Sequence, residues 1–104
     1  MEIPALTKSD FNVKVISNPK DVLVLFAADW CGPCRALRPV LEELGAENKL
    51  TLDIFLVDTN KNYDLAARYT IKALPTVILF RSGQEIDRFW GLKTKDFIKE
   101  MLAG

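Results

Sequence analysis

The chain has 104 residues, of which 49% are hydrophobic and 27% charged, and this composition predicts one globular domain over residues 1–104. Fourteen basic residues balance fourteen acidic ones, so there is no excess charge to attract nucleic acid or an anionic membrane surface. The chain has no histidine, which excludes Ser-His-Asp and Cys-His catalysis as well as imidazole metal sites.

The first half of the chain alternates between predicted helices and strands. Residues 1–4 have neither a basic nor an apolar stretch, so no export signal is expected there. Thr7 followed by Asp10 is typical of a capped helix start, and residues 18–21 predict a turn. Residues 22–28 form the longest apolar run, which is too short to span a membrane but suits a central strand covered on both faces.

A second helix is predicted from about Cys34, with Pro39 expected to kink it and Gly45 to weaken its end. Its buried face is predicted from apolar residues at helical spacing: Leu37, Val40, Leu41 and Leu44. Residues 50–57 then predict a second apolar strand, and residues 60–69 a short helix. The inward side chains of that short helix are expected to be Leu65, Ala66 and Tyr69.

The end of the chain predicts a hairpin and a closing helix. Residues 76–80 and 85–90 are predicted strands on either side of the tight turn at residues 81–84. Thr94 is expected to cap the last helix, whose apolar stripe comprises Phe97, Ile98, Met101 and Leu102. This order of elements predicts a mixed sheet between two layers of helices, a three-layer α/β/α domain.

The only cysteines are Cys31 and Cys34, a spacing that indicates chemistry at one place rather than a disulfide scaffold, which needs cysteines spread along the chain. A zinc site needs four ligands, and this pair supplies two with no second pair or histidine to complete it. We therefore expect neither a metal nor a bound cofactor; the zinc alternative requires a second chain or carboxylate ligands.

Residues 31–34 lie where the predicted central strand ends and a helix begins. The free N–H groups and dipole of a helix N-terminus stabilise an anion, so the pKa of the Cys31 thiol is expected below its ordinary value of about 8.5. Cys31 is then expected to attack a partner disulfide and Cys34, one turn further, to resolve the mixed disulfide. Gly32 lets a target backbone approach, and Pro33 stiffens the loop. The alternative is a packing disulfide or two buried thiols.

The sequence Trp30-Cys31-Gly32-Pro33-Cys34 resembles the redox motif of the thioredoxin family, and the resemblance covers nearly the whole chain. Further positions match the recurring family pattern: Asp58, Asn60, Leu65, Ala66, Tyr69, Ile71, Pro75, Thr76, Gly83 and Gly91. The resemblance implies a thioredoxin fold, with a central mixed sheet of about five strands and four flanking helices. It also implies a protein-disulfide reductase that carries electrons on the Cys31–Cys34 pair.

The resemblance implies a substrate groove opposite the cysteines. It places a cis peptide bond between Leu74 and Pro75, and proline makes that isomer inexpensive. Backbone beside that proline would pair with an extended substrate chain. The groove residues implied are Ala73, Leu74, Pro75, Gly91 and Leu92, with Trp30 as an apolar wall. Trp90 is expected to serve in packing.

Within the family resemblance, the residues between the cysteines indicate the direction of electron flow. Oxidases and isomerases of this kind usually carry a histidine there, and Gly32-Pro33 therefore favours a reductant. Two alternatives remain: an oxidase or isomerase of the same fold, and a non-catalytic binding module that uses the groove.

The chain departs from the family pattern at a buried charge pair. Leu25 and Ile54 stand where an aspartate and a lysine are usual, and Ala27 stands where a tryptophan is usual. Because that aspartate is thought to deprotonate the inner cysteine, we expect slower resolution of mixed disulfides near neutral pH. The proton of Cys34 would instead pass to water, to the leaving thiolate, or to Asp29 or Asp58.

The resemblance also implies the partners: protein disulfides as substrates, and thioredoxin reductase or an equivalent dithiol donor upstream. The balanced charge and the lack of a visible anchor or export signal predict a cytoplasmic location and no binding to nucleic acid or membrane. A monomer is expected.

Overall fold

A four-stranded sheet forms the middle of the molecule in the computed structural model, which describes residues 3–104. Its strands are β1 (Asp21–Ala27), β2 (Leu52–Asp58), β3 (Thr76–Arg81) and β4 (Gln84–Trp90). Their order across the sheet is β2-β1-β3-β4, with β1 and β2 parallel and β3 antiparallel to both of its neighbours. The mixed sheet agrees with the prediction. Residues 1 and 2, which belong to the predicted domain and to the stretch where no export signal is expected, lie outside the described range.

The sheet was expected to have about five strands, and this count is wrong, because within residues 3–104 it has four. Where a fifth strand would begin, Ala5 makes one isolated bridge to Leu56. Two backbone hydrogen bonds flank it, from Leu6 N–H to the Leu56 carbonyl at 2.7 Å and from Leu56 N–H to the Pro4 carbonyl at 2.8 Å. Pro4 has no N–H with which to extend the ladder, so the pairing stays shorter than a strand.

Helices cover the two faces of the sheet. They are α1 (Lys8–Phe11), continued by a π-helical turn (Asn12–Ile16), α2 (Gly32–Glu47), α3 (Tyr63–Arg68) and α4 (Lys95–Ala103). The helix α2 begins two residues before the predicted start and continues through Pro39. The helix α3 begins three residues later than predicted. Its N-terminal side is a turn in which Asn60 N–H donates to Oδ1 of Asp58 at 2.9 Å. None of the helices within residues 3–104 has the length and hydropathy needed to cross a membrane.

The side chains of β1 alternate between two separate hydrophobic clusters, as expected for a strand covered on both faces. Leu23, Leu25 and Ala27 belong to a cluster that includes both cysteines and the buried residues of α2 and α4. Val22, Val24 and Phe26 belong to a second cluster, with residues of the first helix and of α3: Phe11, Val15 and Leu65. The predicted three-layer architecture is confirmed by this division.

The hairpin and the last helix follow the predicted local chemistry. Ser82 and Gly83 in the β3–β4 turn both have positive φ, at 55° and 77°, which is the backbone of a type I′ turn. Thr94 caps α4 by accepting a hydrogen bond from Phe97 N–H at 3.1 Å. Phe97 itself is 44% exposed, so it lies at the edge of the predicted apolar stripe, while Ile98 is fully buried.

Candidate active site

Cys31 and Cys34 form a disulfide where β1 passes into α2, with their Cα atoms 5.3 Å apart. Cys31 occupies the N-cap position of α2, and its Sγ accepts a hydrogen bond from Cys34 N–H at 3.2 Å. The Cys31 N–H donates to the Ala28 carbonyl at 3.1 Å, which fixes the loop before the helix. The Cys31 sulfur therefore lies where the helix N-terminus favours a negative charge.

The helix position, rather than exposure, distinguishes the two cysteines. Cys31 is 4% exposed and Cys34 is 2% exposed, so in the disulfide both are buried. The exposed fractions of the two residues therefore differ by very little. The distinction between an attacking and a resolving cysteine rests on Cys31 being the cap and Cys34 lying within the first turn.

The other residues of the motif surround the disulfide at the surface. Trp30 is 70% exposed, which makes it a surface ring beside the disulfide rather than a core side chain. Gly32 and Pro33 are the first two residues of α2 and are exposed. The Cα of Gly32 has open space around it, because a Cβ added there would meet nothing within 4 Å.

The predicted cis peptide bond between Leu74 and Pro75 is present. Leu74 packs against both hydrophobic clusters, including the one that contains the two cysteines. Leu74, Ala73 and Trp30 also line one cavity of about 380 Å³. The Ala73 carbonyl accepts a hydrogen bond from the hydroxyl of Thr76 at 2.6 Å, which holds the loop that leads to Pro75.

The remaining predicted groove residues are Gly91, which is hydrogen-bonded to the same loop, and Leu92, which follows it in the chain. Gly91 has φ of 83° and its N–H donates to the Pro75 carbonyl at 2.9 Å. The next residue, Leu92, is 55% exposed. The structure thus brings both predicted halves of the groove together, although their role in substrate binding stays a prediction.

The expectation that Trp90 serves in packing is wrong. Its side chain is 69% exposed, whereas its neighbour Phe89, which points to the opposite face of β4, is buried and contacts Phe97 of α4. Trp90 lines a cavity of about 320 Å³ together with Ala73, Lys72 and Arg88. It therefore adds an exposed aromatic ring next to the predicted groove.

At the two positions where the family usually has a buried charge pair, this chain buries two aliphatic side chains. Leu25 is fully buried and Ile54 is 3% exposed, and both lie in the cluster that contains the cysteines. In the β1–β2 register Leu25 is opposite Leu56, and Ile54 is opposite Leu23. Leu25 and Ile54 are therefore diagonal neighbours on one face of the sheet, so their joint replacement by aliphatic side chains leaves no charge unpaired.

A cavity of about 150 Å³ lies against Cys34. Two aspartates, two arginines and three small or apolar residues also line it: Asp29, Asp58, Arg35, Arg38, Ala27, Ala28 and Leu56. Sequence reasoning named Asp29 and Asp58 but missed the arginines. Helical spacing could have indicated them, since Arg38 follows Cys34 by four residues in α2 and Arg35 precedes Arg38 by three.

Within residues 3–104, no group of three or more histidine, cysteine, aspartate or glutamate side chains is arranged to hold a metal ion. The Cys31–Cys34 disulfide at the N-terminus of α2 supports thiol–disulfide exchange at the pair itself.

Comparison with known proteins agrees with the geometry. The sequence matches the thioredoxin family over residues 2–104. It is 41% identical over 102 residues to thioredoxin from Staphylococcus aureus strain Mu50 / ATCC 700699, an alignment that covers 98% of this chain and 96% of that one. Thioredoxins from strains MW2 and N315 show the same identity and coverage. With its disulfide-bonded Cys31–Cys34 pair at the start of α2, the chain belongs to the thioredoxin family of disulfide oxidoreductases.

Proposed function

We propose that the chain reduces protein disulfides, with Cys31 as the attacking thiolate. The observation that carries this assignment is the hydrogen bond from Cys34 N–H to Sγ of Cys31 at 3.2 Å, because it gives a thiolate at Cys31 a donor at the N-terminus of α2. The thiolate attacks one sulfur of the partner disulfide. A bond forms between Cys31 and that sulfur, the partner's S–S bond breaks, and the second partner sulfur leaves as a thiolate.

Cys34 completes the reduction. Its thiol loses a proton, its sulfur bonds to Sγ of Cys31, and the bond between Cys31 and the partner sulfur breaks. The partner leaves with both sulfurs reduced, and the chain is left with the Cys31–Cys34 disulfide. The Cα separation of 5.3 Å is within the range in which a disulfide closes without backbone movement.

Substrate recognition is proposed at the groove formed by Trp30, Ala73, Leu74, Pro75, Gly91 and Leu92. Support comes from the exposed side chains of Trp30 and Leu92, which offer apolar contact area. An extended segment of the partner would lie along residues 73–75 and pair with their backbone. Such backbone recognition suits a protein with many partners, since it does not depend on one side-chain sequence.

The direction of exchange is proposed to be reduction. Gly32 and Pro33 place no cation between the cysteines, whereas an imidazolium there would stabilise the thiolate and make the disulfide more oxidising. As a reductant, the chain needs an upstream dithiol donor, for which thioredoxin reductase or an equivalent protein is proposed. The proposed place of work is the cytoplasm, where thiols are kept reduced, and the proposed working form is a monomer without a bound cofactor.

An equilibrium titration against defined thiol–disulfide buffers tests the function, with the oxidation of Cys31 and Cys34 followed by alkylation. A midpoint near the reference value for thioredoxin, about −270 mV, supports a reductant. A midpoint above about −200 mV assigns the chain to the oxidases or isomerases. A pair that does not exchange at all leaves only the binding module.

A trapping experiment tests the proposed roles of the two cysteines. The Cys34→Ser variant is expected to accumulate a covalent complex with a disulfide-bonded protein substrate, visible on a non-reducing gel, because the attack proceeds and the resolution does not. The Cys31→Ser variant is the matched control and is expected to form no such complex. The reverse pattern would show that the roles are exchanged.

A further inference from the structure

The cavity against Cys34 lies at the last residue pair of the β1–β2 ladder, one member of which is small. Ala27 of β1 is directly opposite Asp58 of β2. Ala27 belongs to the cluster that includes Cys34, and Asp58 follows Leu52, Ile54 and Leu56 on the same face of β2. The methyl side chain of Ala27 leaves the space of about 150 Å³ that Cys34 and Asp58 both line.

Asp58 has the chemistry and the position to accept a proton across this space. Its carboxylate is half-buried, and Oδ1 already accepts Asn60 N–H at 2.9 Å, so the group is held in place. A carboxylate has about four acceptor sites, so further ones remain for the cavity side. The cavity is large enough for several water molecules, each of which takes about 30 Å³ in the liquid. A base can act at hydrogen-bond distance through one such water.

We propose that Asp58 accepts, through water in this cavity, the proton that Cys34 loses when it resolves the mixed disulfide. The inference rests on the proposed reductase function and concerns its second step alone. The S–H bond of Cys34 breaks, its electron pair forms the bond to Sγ of Cys31, and the partner leaves as a thiolate. The proton passes to the Asp58 carboxylate and from there to solvent.

Other charged residues also line this cavity, and the test must separate their effects from that of Asp58. Arg35 and Arg38 of α2 line the cavity and favour the thiolate form of Cys34 by charge attraction. Asp29 lies at the exposed mouth, where its backbone carbonyl accepts a hydrogen bond from Arg35 at 2.5 Å.

On the outer side of Asp58, an adjoining groove contains two lysines. Lys61 and Lys8 line this groove together with Asp29 and Asp58. Lys8 is paired with Asp64 at 2.7 Å. β1 contributes only Ala27 to the cavity, and the next residue, Ala28, also lines it, so neither adds a charge.

The Asp58→Asn variant distinguishes an Asp58 that accepts the proton from one that affects Cys34 only through its charge. Loss of a negative charge near Cys34 favours its thiolate, so a purely electrostatic effect accelerates resolution. Loss of the base slows it, and we expect resolution about tenfold slower at about pH 7, with the difference closing as pH rises and Cys34 ionises unaided. The side-chain amide of this variant keeps an oxygen for the Asn60 N–H, so the turn is retained.

The two steps are measured separately by rapid mixing of the reduced protein with dithiobis(nitrobenzoate), an aromatic disulfide that releases one coloured thiolate in each step. The first release reports the attack by Cys31, and the second reports resolution by Cys34. We expect Asp58→Asn to slow the second release at about pH 7, with the difference closing at higher pH. The first release is expected to stay unchanged between about pH 5 and about pH 9. If the wild-type chain gives neither release, the proposed function fails, and the inference fails with it.

Three further variants complete the design. Glu100→Gln, at an exposed carboxylate of α4, is the matched control and is expected to match the wild type at every pH. Ala27→Leu fills the cavity while leaving Asp58 in place, and we expect it to slow the second release at about pH 7. Asp29→Asn is expected to have little effect on that release. An unchanged or faster second release in Asp58→Asn overturns the inference, as does a slower one in Asp29→Asn alone.

Discussion

Cys34 donates its backbone N–H to Sγ of Cys31 at 3.2 Å, so one member of the redox pair caps the helix that carries the other. Serine, threonine, aspartate and asparagine fill this capping position in most helices, and each presents an oxygen to the N–H group three residues later. Here a sulfur takes that place. The redox state of the pair and the electrostatics of the helix N-terminus are therefore coupled through a single contact.

The first prediction concerns the Cys31 thiol in the reduced protein. Because the N-terminus of α2 stabilises its anion, its pKa is expected below the ordinary value of about 8.5. The pH dependence of alkylation by iodoacetamide in the Cys34→Ser variant measures it directly. The same variant unfolded in urea supplies the ordinary value, and equal midpoints in the two states would contradict the prediction.

The second prediction concerns the aliphatic pair behind the disulfide. The double substitution Leu25→Asp with Ile54→Lys adds a carboxylate near Cys34 and is expected to accelerate the second thiolate release near neutral pH. Leu25→Asp alone is expected to lower the free energy of unfolding by about 3–5 kcal/mol, since it buries a charge without a partner, and the lysine should recover part of that loss. Both are measured by urea unfolding alongside the rapid-mixing assay.

Leu25→Asn with Ile54→Gln is the matched control for that pair, because it adds polarity without a base. An unchanged release rate in a folded Asp–Lys double variant would falsify the idea that the aliphatic pair limits resolution.

The third prediction is a series of glycine substitutions. A Cβ at Gly83, whose φ is 77°, would lie 2.6 Å from the backbone oxygen of Ile16. Gly83→Ala therefore combines backbone strain with a clash against main chain, and we expect it to lower the free energy of unfolding by at least about 2 kcal/mol. Gly91 has φ of 83° but open space around it, so Gly91→Ala should cost about 1 kcal/mol from strain alone. Gly32→Ala has neither problem and serves as the control in urea unfolding. Equal effects at all three positions would contradict this ranking.

The fourth prediction concerns pH and the contact between Arg81 and Asp21. The Arg81 guanidinium donates to both carboxylate oxygens of Asp21, at 2.9 and 2.8 Å. These hydrogen bonds lower the pKa of Asp21 below its ordinary 3.8; burial opposes the shift, and the charge attraction of Arg81 adds to it. Because the folded protein holds this proton less tightly than the unfolded chain does, the stabilisation is complete above the ordinary pKa and is lost as pH falls through the folded value.

Asp21→Asn is accordingly expected to lower the urea midpoint modestly at about pH 7, and the difference from wild type should shrink below about pH 4. The same guanidinium also donates to the carbonyls of Gly104 and Leu102, at 3.0 and 3.2 Å, so it holds the end of α4 as well. Asp87→Asn, at an exposed carboxylate of β4, is the control. A difference that persists unchanged at low pH would show that Asp21 acts through packing rather than charge.

Much of the fold could be predicted because local patterns of apolar residues in the sequence indicate its strands and helices. The apolar run at residues 22–28 predicted β1, and helical spacing of leucines predicted the buried face of α2. The cis bond before Pro75 came from family resemblance, since no periodicity in a single sequence encodes it. The strand count was wrong because the segment at Ala5 makes only one bridge, and its length depends on tertiary pairing with β2.

By itself, the sequence determined where the chemistry lies: two cysteines at a strand-to-helix junction, with a helix N-terminus that favours a thiolate at Cys31. Only the tertiary structure decided what surrounds them. Trp90 is exposed because it points away from the face of β4 on which Phe89 contacts Phe97 of α4. The cavity between Cys34 and Asp58 follows from the register that sets Ala27 opposite Asp58. The physical reason is that local patterns report the periodicity of one segment, whereas a cavity is set by how segments far apart in the chain pack against each other.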